Sequence, residues 1–211
     1  MKTIFRLLLF VATTAIFASC YSASSKASST NFKSGDIIFQ SSQSKQCSAV
    51  RIATRSIYSH CGIIFVENSK VYVYEAVGPV KKTPFSDWIQ HGKDSKYIVR
   101  RLKNDSLLTN AGNVSKMKAI RDKYMGKNYD LCFEWSDNKI YCSEYVWKIY
   151  KQALNIEVGR LQKLKDFDLS SKEVKYILNE RYGDKIPMEE TVISPQSIFE
   201  SELLVTVEDT Y

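Results

Sequence analysis

The sequence is short of histidine: only His60 and His91 occur in 211 residues. Any imidazole chemistry must come from one of these two, and His91 lies in a polar loop, Gln90-His91-Gly92-Lys93-Asp94, with nothing to hold it. No cysteine pair has CxxC spacing, which argues against a zinc site at Cys47, Cys61 or Cys132. There is no dense Lys/Arg stripe, although the net charge is +7, and nucleic acid is therefore a poor candidate partner. No internal repeat is visible. The apolar run from Leu7 to Ala18 has 12 residues, short of the roughly 20 that a spanning helix needs.

What is present is an ordinary globular balance, 44% hydrophobic and 25% charged, with 13 Tyr, 10 Phe and 3 Trp. Such a chain suits one domain that can bury a core without disulfide staples. Its first residues read as an address. Lys2 and Arg6 precede the apolar run, and Ala18-Ser19 lead into Cys20. The pattern resembles a bacterial lipoprotein signal (residues 1–19) with Cys20 as the lipidated residue, although Phe17 stands where such signals usually carry Leu. An ordinary secretory signal is the alternative. Loss of Lys2 and Arg6 leaves a net charge of +5, which favours anionic surfaces such as headgroups or wall polymers. Residues 20–31 include the Ser-rich, aperiodic stretch Tyr21 to Asn31 and read as a flexible tether. The folded domain is expected over 32–206.

Within it, Phe32 to Gln40 has a Gly-Asp turn and an Ile-Ile-Phe strand. Cys47 to Ile57 is ambiguous, with spacing compatible with a short helix. Ser59 to Val66 and Val71 to Val77 are rich in β-branched and aromatic residues around Glu67-Asn68-Ser69-Lys70, which predicts a hairpin. Tyr97 to Leu102 reads as a further strand. Asn113 to Met125 has Val114, Met117, Ile120 and Tyr124 on one helical face, with Gly126 as its cap. Tyr141 to Leu154 is a second amphipathic helix, with Cys142, Tyr145, Val146, Ile149, Tyr150 and Ala153 on one stripe. Leu161 to Tyr182 is charged and partly helical. Ile193 to Glu200 carries a Pro at the first turn of a short helix. The class is α+β.

Pairing Glu67 with Lys70 places Gly62 opposite Glu75 and His60 opposite Val77. His60 and Glu75 then share a face as diagonal neighbours, with Cα atoms roughly 7–8 Å apart. That face is otherwise apolar, and a carboxylate there needs a partner. His60 supplies one, unless Glu75 lies at a solvated strand end or the loop slips by a residue. Cys142 stands at the first turn of its helix, where free N–H groups and the dipole favour a thiolate. Equally, it is a cysteine on a buried stripe. Together the three make a nucleophile, a base and an orienting carboxylate, and the Cys142 N–H is a candidate oxyanion donor.

In their order, Gly35-Asp36-Ile37-Ile38-Phe39, Ser59-His60-Cys61-Gly62-Ile63, Tyr74-Glu75-Ala76, Gly126-Lys127-Asn128-Tyr129-Asp130, Tyr141-Cys142-Ser143-Glu144 and Ser194-Pro195 resemble the YiiX/YaeF family of permuted papain-fold amidases. That family is related to NlpC-type cell-wall cysteine peptidases and lecithin–retinol acyltransferases. The resemblance implies a circularly permuted papain-like fold, an antiparallel sheet packed against the helix that carries the nucleophile. It implies Cys142 as nucleophile, His60 as base and Glu75 as acid, with Tyr129 near the thiolate as an oxyanion aid. Glu144 belongs to the matched motif, and a first-turn capping acid explains it more simply. Leu161 to Asp184 matches nothing in that family and is a candidate for shaping the cleft.

Outside the cytoplasm a disulfide among Cys47, Cys61 and Cys132 is an open alternative. Cys61, alternating with His60, is expected to face away from the site. The implied activity is thiol-dependent amide hydrolysis through a thioester, in the bacterial cell envelope, on peptidoglycan-type peptides or on N-acyl and lipid-like molecules. A quiet wall- or lipid-binding module and an acyltransferase are the alternatives. No metal or organic cofactor is implied.

Overall fold

The computed structural model describes residues 31–211. The expected signal segment, Cys20 and the tether up to Thr30 lie outside the described residues. In chain order the elements are β1 (Ile37–Gln40), α1 (Lys45–Thr54), β2 (His60–Glu67), β3 (Lys70–Ala76), β4 (Val80–Pro84), α2 (Phe85–Gln90), β5 (Ile98–Leu102), α3 (Ser106–Thr109), α4 (Ala111–Lys123), α5 (Cys142–Leu154), β6 (Gln162–Lys163), α6 (Lys172–Tyr182), β7 (Thr191–Val192), α7 (Pro195–Phe199) and β8 (Leu204–Asp209). Six strands form one antiparallel sheet in the order β4-β3-β2-β1-β5-β8. The class is α+β.

The β2–β3 hairpin sets the register of the sheet. Asn68 and Ser69 both take positive φ, 50° and 62°, as a two-residue turn of the mirror-image type requires. Glu67 therefore faces Lys70, and the ladder runs on to Ile63 opposite Tyr74. The next pair along that register is Gly62 and Glu75. A Cβ on Gly62 would stand 2.4 Å from Val73 Cγ1 and 3.1 Å from the Tyr74 carbonyl oxygen, so the close approach needs a glycine.

The two faces of the sheet bury different things. One face (Ile37, Phe39, Cys61, Ile63, Phe65, Tyr74) packs with Tyr145, Ile149 and other residues of α5 into the main core. The other (Ile38, Ile64, Val73, Val99) packs with Trp88 of α2 and with Phe32 in a smaller cluster. The Gly35-Asp36 turn joins the layers. Asp36 takes a two-pronged contact from Arg101, at 2.6 and 2.7 Å, and the Tyr150 hydroxyl of α5 donates to the Gly35 carbonyl.

Several boundaries differ from the reading of the sequence. The helix expected from Asn113 begins at Ala111, because the Asn110 side chain accepts the Asn113 N–H and caps it there. Gly126, at φ 77°, lies in the following turn and donates to the Val80 carbonyl instead of closing the helix. The stripe on α5 is wider than its apolar spacing indicates, since Glu144, Trp147 and Lys148 are buried as well. Glu144 and Lys148 manage this by pairing at 2.7 Å. Helix α6 starts at Lys172, capped by Ser171. β4, α2, α3 and β8 carry no pattern that announced them, and the expected domain end at 206 falls inside β8.

Candidate active site

Cys142 is the first residue of α5, with Tyr141 as the extended residue before it. Two contacts hold this helix end. Ser143 Oγ donates to the Ile193 carbonyl at 2.8 Å, and the Ile193 N–H donates to the Tyr141 hydroxyl at 3.1 Å. Glu144 accepts the Tyr141 N–H at 3.3 Å, the capping role its position suggests. Burial pushes Glu144 up to about 7 despite Lys148 beside it.

His60 opens β2 and Glu75 lies near the end of β3, both buried. His60 Nε2 and Glu75 Oε2 are 2.7 Å apart. The carboxylate is also held from the far side: Trp88 Nε1 donates to Oε2 at 2.8 Å and Thr83 Oγ1 donates to Oε1 at 2.6 Å. The Trp88 ring stacks on the imidazole, with centroids 5.9 Å apart. With Nε2 committed to Glu75, Nδ1 is the imidazole nitrogen left for the thiol.

Charge follows from these contacts. Cys142 is held well below the usual thiol range, first by a hydrogen bond from the Cys61 thiol. Burial opposes this, and hydrogen bonding to His60, the imidazolium charge and the Cys61 N–H add to it. Burial draws His60 down, but the bond to Cys142, then Glu75 and both charges push it up to about 10. Glu75 lies below the usual carboxylate value, because His60, Thr83 and Lys81 outweigh a burial that would raise it. These directions all favour a thiolate–imidazolium pair with a carboxylate behind it.

Tyr129 joins them through the backbone. The segment 128–130 bridges in parallel to Ile140, two residues before Cys142. Asp130, accepting the N–H groups of Cys132 and Glu134 at 2.8 and 2.7 Å, fixes the loop that follows. The Tyr129 phenol is raised well above its ordinary range by burial, then by the neighbouring Cys142 charge. The structure thus brings together Cys142, His60, Glu75 and Tyr129. His91 is exposed at the end of α2 and takes no part.

The expectation that Cys61 faces away from the site does not hold. Alternation does put it on the opposite face from His60, but α5 packs on that opposite face. The imidazole bonds both Glu75 and the Cys142 thiol, and Cys61 also bonds Cys142. Cys47, Cys61, Cys132 and Cys142 are all free. Trp88 and Thr83 were invisible in the sequence, because the segment that carries them has no pattern of its own.

Beside Cys142 runs an apolar cleft whose walls include Ala49 and Val50 of α1, Leu164, Val174 and Leu178 around α6, and Val192. Leu161 to Asp184 does form part of the cleft. A larger, more open depression between Arg55, Gly159 and Leu203 contains none of the four site residues, whereas the narrower cleft is lined by Cys142.

A family model described as permuted papain-like amidase enzyme, YaeF/YiiX, C92 family, matches residues 31–208. The protein YiiX of Escherichia coli (strain K12), itself uncharacterized, is 50% identical over 175 residues, which cover 83% of this chain and 85% of YiiX. The crystal structure of yiiX from Escherichia coli O157:H7 superposes with a TM-score of 0.81 at 49% identity, covering 85% of this chain and 98% of that one. That protein is described as a metalloprotein. In the present chain, no group of three or more His, Cys, Asp or Glu among the described residues converges as metal ligands. Every step of the chemistry below uses side chains of this chain alone.

Proposed function

Because the chain belongs to the YaeF/YiiX family of permuted papain-like amidases, we propose that it is a cysteine hydrolase cleaving amides, or the equivalent esters, that carry an apolar acyl group. The observation that carries this reading is the buried His60–Glu75 pair, with His60 hydrogen-bonded in turn to Cys142 at the N-terminus of α5. The thiolate attacks the carbonyl carbon, and the new oxyanion is met by the Cys142 N–H and the Tyr129 hydroxyl. The imidazolium passes its proton to the leaving nitrogen or oxygen, leaving a thioester. His60 then takes a proton from water as it attacks, the acid leaves, and the thiolate is restored. Glu75 holds the ring and its charge throughout.

Of the two expected substrate classes, the cleft supports N-acyl or lipid-like molecules over cell-wall peptides, since its walls offer mostly aliphatic contact. In the full chain we place the lipid on Cys20 at the envelope membrane, where such substrates are concentrated. The test is turnover of acyl amides and esters of increasing chain length, beside wall-type peptides. Burial at about 0.8 kcal/mol per methylene raises kcat/KM about fourfold for each one that enters the cleft. Turnover that persists in Cys142→Ala, or that is highest with unacylated peptides, contradicts this reading.

A further inference from the structure

A line of hydrogen bonds runs from α6 to the nucleophile. Arg181 Nη2 donates to Gln46 Oε1 at 2.8 Å, and Gln46 Nε2 donates to the Tyr129 hydroxyl at 3.0 Å. Tyr129 and Cys142 together line the cleft beyond it. Chemistry fixes the direction of this line. A guanidinium has donors only, so the amide atom facing Arg181 is the oxygen. The amide nitrogen, which can only donate, then faces the phenol. Tyr129 oxygen accepts on that side, and its one proton is left to point away from Gln46. Cys142, which lines the same cleft and whose charge and hydrogen bond act on the phenol, is the acceptor available to it.

Arg181 is an unusual residue to find here. It lines a largely apolar cleft, its Nη1 is buried without a hydrogen-bond partner, and no carboxylate among the described residues forms an ion pair with it. Stacking over Phe133, 5.3 Å from the ring centroid, steadies it without neutralising it. An unpaired cation in such surroundings opposes folding, which argues for a role in the site.

We propose that Arg181 and Gln46 are positioning residues that hold the Tyr129 hydroxyl as a donor toward Cys142 and toward the oxyanion formed there. The inference rests on the thiol-hydrolase reading above. It also assigns a task to the α6 segment, which supplies the end of the relay as well as a wall of the cleft.

Gln46→Glu is the discriminating variant. A carboxylate of the same shape keeps Arg181, now as an ion pair, but has no proton to give. Tyr129 must then turn its proton toward residue 46. The kcat/KM falls on the order of a hundredfold, the loss typical of one oxyanion donor, and mainly in kcat. Tyr129→Phe falls to a similar degree, and the two changes combined are little worse than either alone. Arg181→Met, which frees the amide to turn over, loses about tenfold, whereas Arg181→Lys keeps the donor and restores most of the activity.

A second reading uses no substrate: the pH midpoint of Cys142 alkylation rises in Gln46→Glu and in Tyr129→Phe, and no further in the pair. Folding of each variant is checked by its melting transition. Wild-type kinetics and an unmoved midpoint in a folded Gln46→Glu overturn the relay while leaving the hydrolase reading intact. Losses that multiply in the double variant also overturn it. A wild-type Cys142 that reacts as an ordinary thiol overturns both.

Discussion

Glu75→Gln isolates the charge behind the imidazole. In the native protein Glu75 Oε2 accepts from His60 and Trp88, and Oε1 accepts from Thr83. Glutamine keeps the shape and satisfies the same neighbours. Its oxygen accepts from His60 and Trp88, and its amide donates to the Thr83 hydroxyl, which accepts as readily as it donates. The substitution thus removes one negative charge and little else. An opposite charge this close shifts a pKa by about 1–3 units, equivalent to about 1.4–4 kcal/mol. Glu75 favours the charged imidazolium, so its loss moves His60 downward from about 10. In the pH profile of kcat/KM, the alkaline limb reports loss of the imidazolium proton. That limb is expected to move about 1–3 pH units toward neutral, while the acid limb, set by the Cys142 thiol, does not rise. A uniform loss of rate at every pH with both limbs in place would refute the reasoning and make Glu75 a packing residue.

Three further outcomes follow from contacts around the site. Cys61→Ala removes the largest influence lowering the Cys142 thiol; a hydrogen bond to a charged group is worth about 1.5–3 kcal/mol, so the alkylation midpoint rises by about 1–2 units. Cys61→Ser, which keeps a donor, recovers most of that shift, and an unmoved midpoint in the alanine variant would reduce Cys61 to packing. Gly62→Ala forces a methyl into Val73 and is expected to cost about 1–3 kcal/mol, read as a lower melting temperature; an unchanged melt would show that the hairpin absorbs it. Glu67 is held at about 2 because Lys82, Tyr74 and Arg121 outweigh a burial that would raise it. Its folded value is depressed, so its contribution is whole above its ordinary 4.5 and is lost as pH falls toward 2. Glu67→Gln should flatten the acid arm of the stability curve in that window, and an unaltered arm would contradict the assignment.

The sheet register was legible because Asn68 and Ser69 allow one turn, and a one-residue slip would have thrown every side chain to the other face. Cys142 at the start of α5 was legible from a periodic stripe that begins at a cysteine. What the sequence could not give was the layer on which α5 packs. Alternation separates His60 from Cys61 but does not say which of them meets the helix, and so Cys61 was misplaced. Trp88, Thr83, Gln46 and Arg181 come from four separate elements with no shared spacing. Only the closed fold brings each of them within hydrogen-bonding distance of its partner.

The central claim, an activated Cys142–His60 pair, is tested most directly by the rate of Cys142 alkylation against pH in the wild type and in His60→Ala. A plateau that begins well below about pH 8.5, the ordinary thiol value, and is lost in His60→Ala is the expected result. A Cys142 that reacts as an ordinary thiol, or not at all, in both proteins would contradict it.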